Sequence, residues 1–327
     1  MMSIEVLEEA DSQWNRRLIK SGSGTIYQSR EIASNFRKRD YTPLFLRFID
    51  NKGSITGQLL CYLHPILKNN NLRSKILTKI PSARKLFCRW SYGPIIFEPS
   101  SRTIIYETLG KFLLKKKYRI QGSEHPLCSG PLNSLKNNFE ISLWSTYLID
   151  LTKPKDQLYN NIKKSNGRKN IERSIRKGVV VEEITTKTLP EYVDVLNKMY
   201  RESGREEVKL DIIMDWWTLF EPLGYSGLIA KKNETIIGGL LFSYFNNYLI
   251  EALVARSKKD SEEKLYAQDL IKWKIIEWAN NKKLRYYDLA GFNPKPESPK
   301  EVGIMEFKKK WGGVKHDFWK IKKTSFF

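Results

Sequence analysis

An α/β fold of two tandem domains, each a mixed and mostly antiparallel sheet flanked by helices, follows from three observations. The chain has 327 residues, long for a single hydrophobic core. A β-hairpin pattern occurs twice. The same helix-then-strand order follows each copy, so a domain has been duplicated rather than a short unit repeated as a solenoid.

In the first copy, Leu44-Phe45-Leu46-Arg47-Phe48-Ile49 alternates apolar and other residues. It turns through Asp50-Asn51-Lys52-Gly53 and resumes as Ile55-Thr56-Gly57-Gln58-Leu59-Leu60. Residues 63–89 then mix Ile66, Leu67, Leu72 and Ile76 with Lys68, Arg73, Lys75 and Lys79. Such a basic amphipathic insertion suits an anionic membrane, RNA, or a helical cap whose lysines face water. A helical pattern over 102–117 leads into the strand Tyr118-Arg119-Ile120-Gln121-Gly122. Around 130–139, Pro131, Asn133, Asn137 and Asn138 break both periodicities, which places the domains at 1–138 and 139–327.

The second domain predicts a strand over 144–151, a helical stretch, a strand over 179–184, and helices over 190–203 and 211–220. Its hairpin runs from Leu228-Ile229-Ala230 to Ile236-Ile237-Gly238-Gly239-Leu240-Leu241. Ile55, Gly57, Leu59 and Leu60 fall without gaps on Ile236, Gly238, Leu240 and Leu241. A strand over 248–255, a helix over 264–282 and a strand over 285–291 complete it.

Composition narrows the function. A hydrophobic fraction of 41% and an aromatic fraction of 12% supply ordinary globular cores. No run reaches the roughly 18 uncharged apolar residues of a membrane span, and the acidic first ten residues lack a signal-like apolar core. Cys61, Cys88 and Cys128 are widely spaced and form no C-x-x-C pair, which fits a reducing cytoplasm. His64, His125 and His316 are isolated, so no metal site is expected. The formal charge of +21 favours polyanionic partners without choosing among nucleic acid, lipid and acidic ligands.

Several constellations carry chemistry. Leu158 and Ile162 share one helical face and Ile171 and Ile175 the opposite one, so Ser165-Asn166-Gly167 is expected to break the helix. Beyond it Lys169, Arg173 and Arg176 recur at helical spacing beside Arg168, with Gly178 as a stop. They form a ridge for phosphates or a solvated face. In the helix over 264–282 the stripe Ala267, Ile271, Ile275 and Trp278 is core. Tyr266 and Gln268 at its start are candidates to face a cleft.

Near the carboxyl end, Tyr286-Tyr287-Asp288-Leu289-Ala290-Gly291-Phe292 precedes a polar loop over 293–300. Then comes Gly303-Ile304-Met305-Glu306-Phe307-Lys308-Lys309-Lys310-Trp311-Gly312-Gly313. Asp288 ends a strand and either orients an amine, holds Lys308, or is a turn acid before Gly291. A fixed ammonium at Lys308 would stabilise an oxyanion or a phosphate. The alternative is a surface run of three lysines. Phe307 suits packing, and Gly312 and Gly313 a tight turn.

In that order these residues resemble the Fem family, the aminoacyl-tRNA-dependent transferases that build peptidoglycan cross-bridges, and the wider FemAB-like branch of GNAT-fold acyltransferases. Leu148-Ile149-Asp150-Leu151 followed by 168–178 is similar to the family's R-x-x-I-x-x-A-x-x-G-type run after a strand, with Ser174 where Ala is usual. The resemblance implies two GNAT-like domains with one active site, in the second, because the first has no F-K-x-x-x-G-G match. It implies that Lys308 lies in the substrate site with Asp288. Substrate contacts would come from Arg168, Lys169, Arg173, Arg176, Tyr266, Gln268, Gly291, Phe307, Gly312 and Gly313.

The reaction implied is amide formation from an aminoacyl-tRNA or other activated acyl donor to an amine-bearing cell-envelope acceptor, which in peptidoglycan synthesis is lipid-linked. It needs no cofactor and runs in the cytoplasm or at the inner membrane face. An acyl-CoA or acyl-carrier-protein N-acyltransferase is the near alternative. Acyl-CoA GNAT enzymes hold pyrophosphate on a glycine-rich loop, whereas Arg256-Ser257-Lys258-Lys259-Asp260-Ser261-Glu262-Glu263 has no glycine. A non-catalytic RNA- or membrane-binding protein is the alternative from another class.

Overall fold

Both expected hairpins form, and around them the chain builds the same pattern of strands twice. The computed structural model describes residues 2–39, 41–65 and 86–324. Two units result: Met1–Ser145 together with Asp317–Phe327, and Thr146–His316. Residues 66–85, most of the basic insertion, lie outside the described residues.

In the first unit, β1 (Ser3–Leu7), α1 (Trp14–Ser21) and α2 (Arg30–Arg37) precede the hairpin of β2 (Thr42–Ile49) and β3 (Ile55–Pro65). Its alternation pairs Phe45 with Leu60 and Phe48 with Gly57. After β4 (Leu86–Arg89) and β5 (Ile95–Ile96), α3 (Arg102–Lys116) crosses to β6 (Arg119–Ser123). Ile105, Tyr106, Leu109 and Leu113 face inward from α3 at i, i+4 and i+8 spacing. β4 and β6 pair in parallel, as a crossover helix requires.

The second unit takes the later half of β7 (Glu140–Asp150), then α4 (Lys155–Asn161) and α5 (Lys169–Arg176). The expected break falls between these helices: Ile162 is extended, and residues Lys164–Arg168 form a π-turn before α5 starts. Next come β8 (Val180–Glu183), α6 (Leu189–Glu202), α7 (Leu210–Phe220), β9 (Tyr225–Lys232), β10 (Thr235–Phe245) and β11 (Tyr248–Arg256). The short α8 (Lys258–Glu262) and the long α9 (Ala267–Asn281) lead to β12 (Tyr286–Asp288), α10 (Pro299–Lys309) and β13 (Val314–Lys323). The strand order is β7-β12-β11-β10-β9-β8, antiparallel except for the parallel pair β11 and β12. That pair repeats the parallel β4 and β6 of the first unit. α9 buries Ala267, Leu270, Ile271, Ile275 and Ile276 against the sheet, but also Gln268, Asp269 and Lys272. Among the described residues no helix is long and apolar enough to cross a membrane.

α10 is an element the pattern reading treats as loop and turn. Its start is built by Ser298, whose Oγ accepts the Glu301 amide at 3.3 Å, with Pro299 in the first turn. The helix buries none of its residues completely, so no broad apolar stripe announces it.

Candidate active site

β11 and β12 pair only from Tyr248–Tyr286 to Ile250–Asp288; β11 then runs on to Arg256 while the other chain turns away at Leu289. A cavity of about 840 Å³ is bordered by the parted ends, Glu251, Ala252, Val254 and Arg256 on one side and Ala290 and Gly291 on the other. The first turns of α9 add Gln268, Asp269 and Lys272. α10 adds Lys300, Gly303, Ile304, Phe307 and Lys308, a single helical face.

Lys308 sits in this wall, and its Nζ donates to three successive carbonyls: Leu289 at 2.6 Å, Ala290 at 2.8 Å and Gly291 at 3.3 Å. Those carbonyls converge because Ala290 takes a left-handed conformation, φ +61°. Burial lowers the Lys308 pKa to about 8, with Glu251 opposing the shift and Lys272 adding to it. The result is a cation fixed at the edge of the cavity that gives up its proton about 300-fold more readily than an unburied lysine at a given pH.

Asp288 is fully buried beneath the loop rather than in the cavity lining. Its carboxylate accepts from Thr146 Oγ1, from the Tyr248 hydroxyl at 2.8 Å and from the Ala290 amide at 2.8 Å. It shapes the turn whose carbonyls hold Lys308, and its charge also favours that ammonium.

Two buried ion pairs stand in the same cavity. Lys272 of α9 meets Glu251 of β11, and the Tyr287 hydroxyl donates to the same carboxylate at 2.7 Å. Lys310 meets Asp269 of α9 and donates to the Asn166 carbonyl at 3.2 Å, with the Phe307 ring centroid 4.1 Å from its nitrogen. Burial pushes the Asp269 carboxyl up and the Lys310 ammonium down, each countered by the partner's charge. The three-lysine run is therefore not one surface patch: Lys309 is exposed, while Lys308 and Lys310 turn inward.

Of the residues singled out in the sequence, Lys308, Phe307, Gly291, Tyr266 and Gln268 converge on the cavity. Gln268 is held by donating to the Ala255 carbonyl at 2.7 Å and the Gly239 carbonyl at 3.3 Å. Arg168, Lys169, Arg173 and Arg176 do not line it. Lys169, Arg173 and Arg176 are exposed; Arg168 donates to Asn160 at 3.1 Å, and Arg173 approaches the cavity only through the Tyr266 ring, 5.9 Å away. Gly312 and Gly313 also stand outside the lining. Gly312 has φ +75°, and a Cβ there would lie 2.6 Å from the Asn161 carbonyl oxygen. At Gly313 it would lie 2.9 Å from that of Leu148, so both glycines serve the close packing of this corner. Glu251, Asp269, Lys272, Lys310, Arg205 and Arg256 are cavity residues that the motifs did not flag. Asp269 and Lys272 left one visible trace, as charges set among the apolar positions of a core-facing helix.

The glycine-free loop after β11 has its own anion. Asp260 is fully buried; its Oδ1 accepts the Ala267 amide at the start of α9 at 2.8 Å and its Oδ2 accepts Arg256 Nε at 2.5 Å. The amino end of α9 is thus already occupied by a carboxylate of the chain itself.

No protein-family model matches the chain, and no curated protein sequence does. Solved structures do. FemX aligns over 96% of both chains at 11% identity with a TM-score of 0.71. L-PGS from Bacillus licheniformis covers 98% of this chain and 94% of its own at 12% identity and TM-score 0.54. A tandem GNAT protein from the clavulanic acid biosynthesis pathway covers 98% and 97% at 9% identity and TM-score 0.56. At such identities the likeness carries the fold alone: two tandem GNAT-like domains.

Proposed function

We propose that the chain is an acyltransferase that moves an aminoacyl group from aminoacyl-tRNA to an amine of a cell-envelope precursor. The observation that carries this reading is the ammonium of Lys308, held by the 289–291 carbonyls in the wall of a cavity large enough for an acyl group. Attack of an amine on an ester puts negative charge on the carbonyl oxygen, and a pre-positioned cation stabilises it without reorganising. The longest of the three contacts, to Gly291, is the one such an oxyanion would replace. Asp260 supports a donor other than coenzyme A, because a pyrophosphate would have to displace a buried, ion-paired carboxylate from the helix start.

The test is direct. Purified protein, a pool of tRNA charged with labelled amino acids, and extracted cell-envelope precursors should yield a precursor heavier by one aminoacyl residue in mass spectrometry. An unchanged precursor pool with every amino acid would contradict the reading.

The pH dependence follows from Lys308. The folded pKa is about 8 against 10.5 for an ordinary lysine, so the ammonium is complete below that value and lost above it. Transfer, corrected for spontaneous ester hydrolysis, should fall through an apparent pKa near 8. An unfolded chain would keep that proton up to about 10.5, so over the same window deprotonation of Lys308 raises folding stability. Activity lost while thermal stability holds or rises therefore reports the ammonium and not unfolding. Activity that climbs through pH 8 would instead assign Lys308 as a neutral base.

A further inference from the structure

A second pocket, of about 270 Å³, adjoins the cavity and shares Met199 and Arg256 with it. Its floor is apolar: Val195 and Met199 from one face of α6, and Ile236 and Ile237 from β10. Its rim is cationic, with Lys198, Arg256, Lys258 and Lys259 against the single carboxylate of Glu202. Two of these lysines have exposed partners, Lys198 with Asp194 at 2.7 Å and Lys258 with Glu202 at 3.2 Å, pairs that water and salt weaken.

Arg256 is the built part. Its Nε is locked by the buried carboxylate of Asp260. Its two terminal nitrogens make no hydrogen bond among the described residues. A guanidinium with one nitrogen anchored and two presented is a pre-oriented fork for phosphate oxygens. The hydroxyls of Thr235 and Ser257 border the same pocket.

We propose that this pocket holds a nucleoside phosphate, the base against the aliphatic floor and the phosphate on Arg256, Lys258 and Lys259. It rests on the aminoacyl-RNA reading above. The donor strand would lie with its acylated end in the cavity and an adjoining nucleotide here, Arg256 standing between the two. The same chemistry occurs in the nucleotide part of coenzyme A, so the experiment must separate the two sources.

A fluorescent single-stranded ribohexamer ending in cytidine-cytidine-adenosine is titrated into the full chain across salt concentrations. Lys258→Glu/Lys259→Glu is expected to weaken binding about tenfold or more and to reduce the slope of log affinity against log salt by about one to two. Arg256→Lys keeps the charge beside Asp260 but loses the fork, so affinity should fall about tenfold with the slope nearly unchanged. Lys282→Glu/Lys283→Glu, exposed beyond the far end of α9, is the bulk-charge control and should stay within about twofold.

An equal loss in that control, or no loss in the pocket variants, overturns the proposal. Stoichiometric displacement of the hexamer by coenzyme A would reassign the pocket to an acyl-CoA donor and remove the tRNA reading with it. If the pocket variants bind normally while Lys308→Ala still abolishes transfer from aminoacyl-tRNA, the pocket assignment fails and the transferase reading stands.

Discussion

Lys308→Ala is expected to lower the transfer rate about 10²–10³-fold, the usual consequence of removing one oxyanion donor from a dry site. The loss should appear in single-turnover transfer with donor affinity little changed, because the cation acts on charge that develops only during reaction. Stability should hardly move. Three carbonyl contacts are lost, but so is the cost of keeping an ammonium buried, the cost that brings its pKa down to about 8. The freed carbonyls border a cavity that water can enter. Lys308→Met, which preserves the stem packing, should be as inactive as the alanine variant. Retention of most activity in either variant would remove Lys308 from the chemistry.

Lys310→Met should have the largest effect on stability, about 3–5 kcal/mol by urea denaturation, because it strands the Asp269 carboxylate at 5% exposure. It also removes the tie to Asn166 that joins the π-turn before α5 to the end of α10. Replacing both partners, Lys310→Met with Asp269→Leu, should restore much of the loss, since a buried pair is often matched by apolar residues of similar volume. Lys309→Met should change stability by less than about 0.5 kcal/mol: its ammonium is exposed and its 4.0 Å contact with Glu306 is loose. Equal losses at 309 and 310 would mean that the pair does not organise the site.

Much of the architecture was legible because it rests on periodicity. The alternation at 44–49 and 55–60 and its echo at 236–241 gave both hairpins, and Ser165-Asn166-Gly167 marked the break between α4 and α5. α10 was not legible as a helix: its apolar residues form no closed stripe, and only Ser298, Pro299 and Glu301 betray its start. The return of Asp317–Phe327 to the first unit has no local signal either, since β13 runs unbroken through both parts.

The site was half legible for a related reason. Lys308, Lys309 and Lys310 are identical in type, and only the direction of α10 and the turn at Trp311 and Gly312 decide which face inward. The Arg168–Arg176 ridge has helical spacing, but spacing cannot say what a face looks at, and most of it meets solvent. Glu251 and Arg256 were hidden in a strand, where their importance depends on where its parallel neighbour stops.

Comparing Lys308→Ala and Lys309→Ala side by side in single-turnover transfer from aminoacyl-tRNA puts the question to two lysines one peptide bond apart. The inward ammonium should prove indispensable and its exposed neighbour dispensable. Should both variants transfer at the same rate, no catalytic cation resides in this cavity wall.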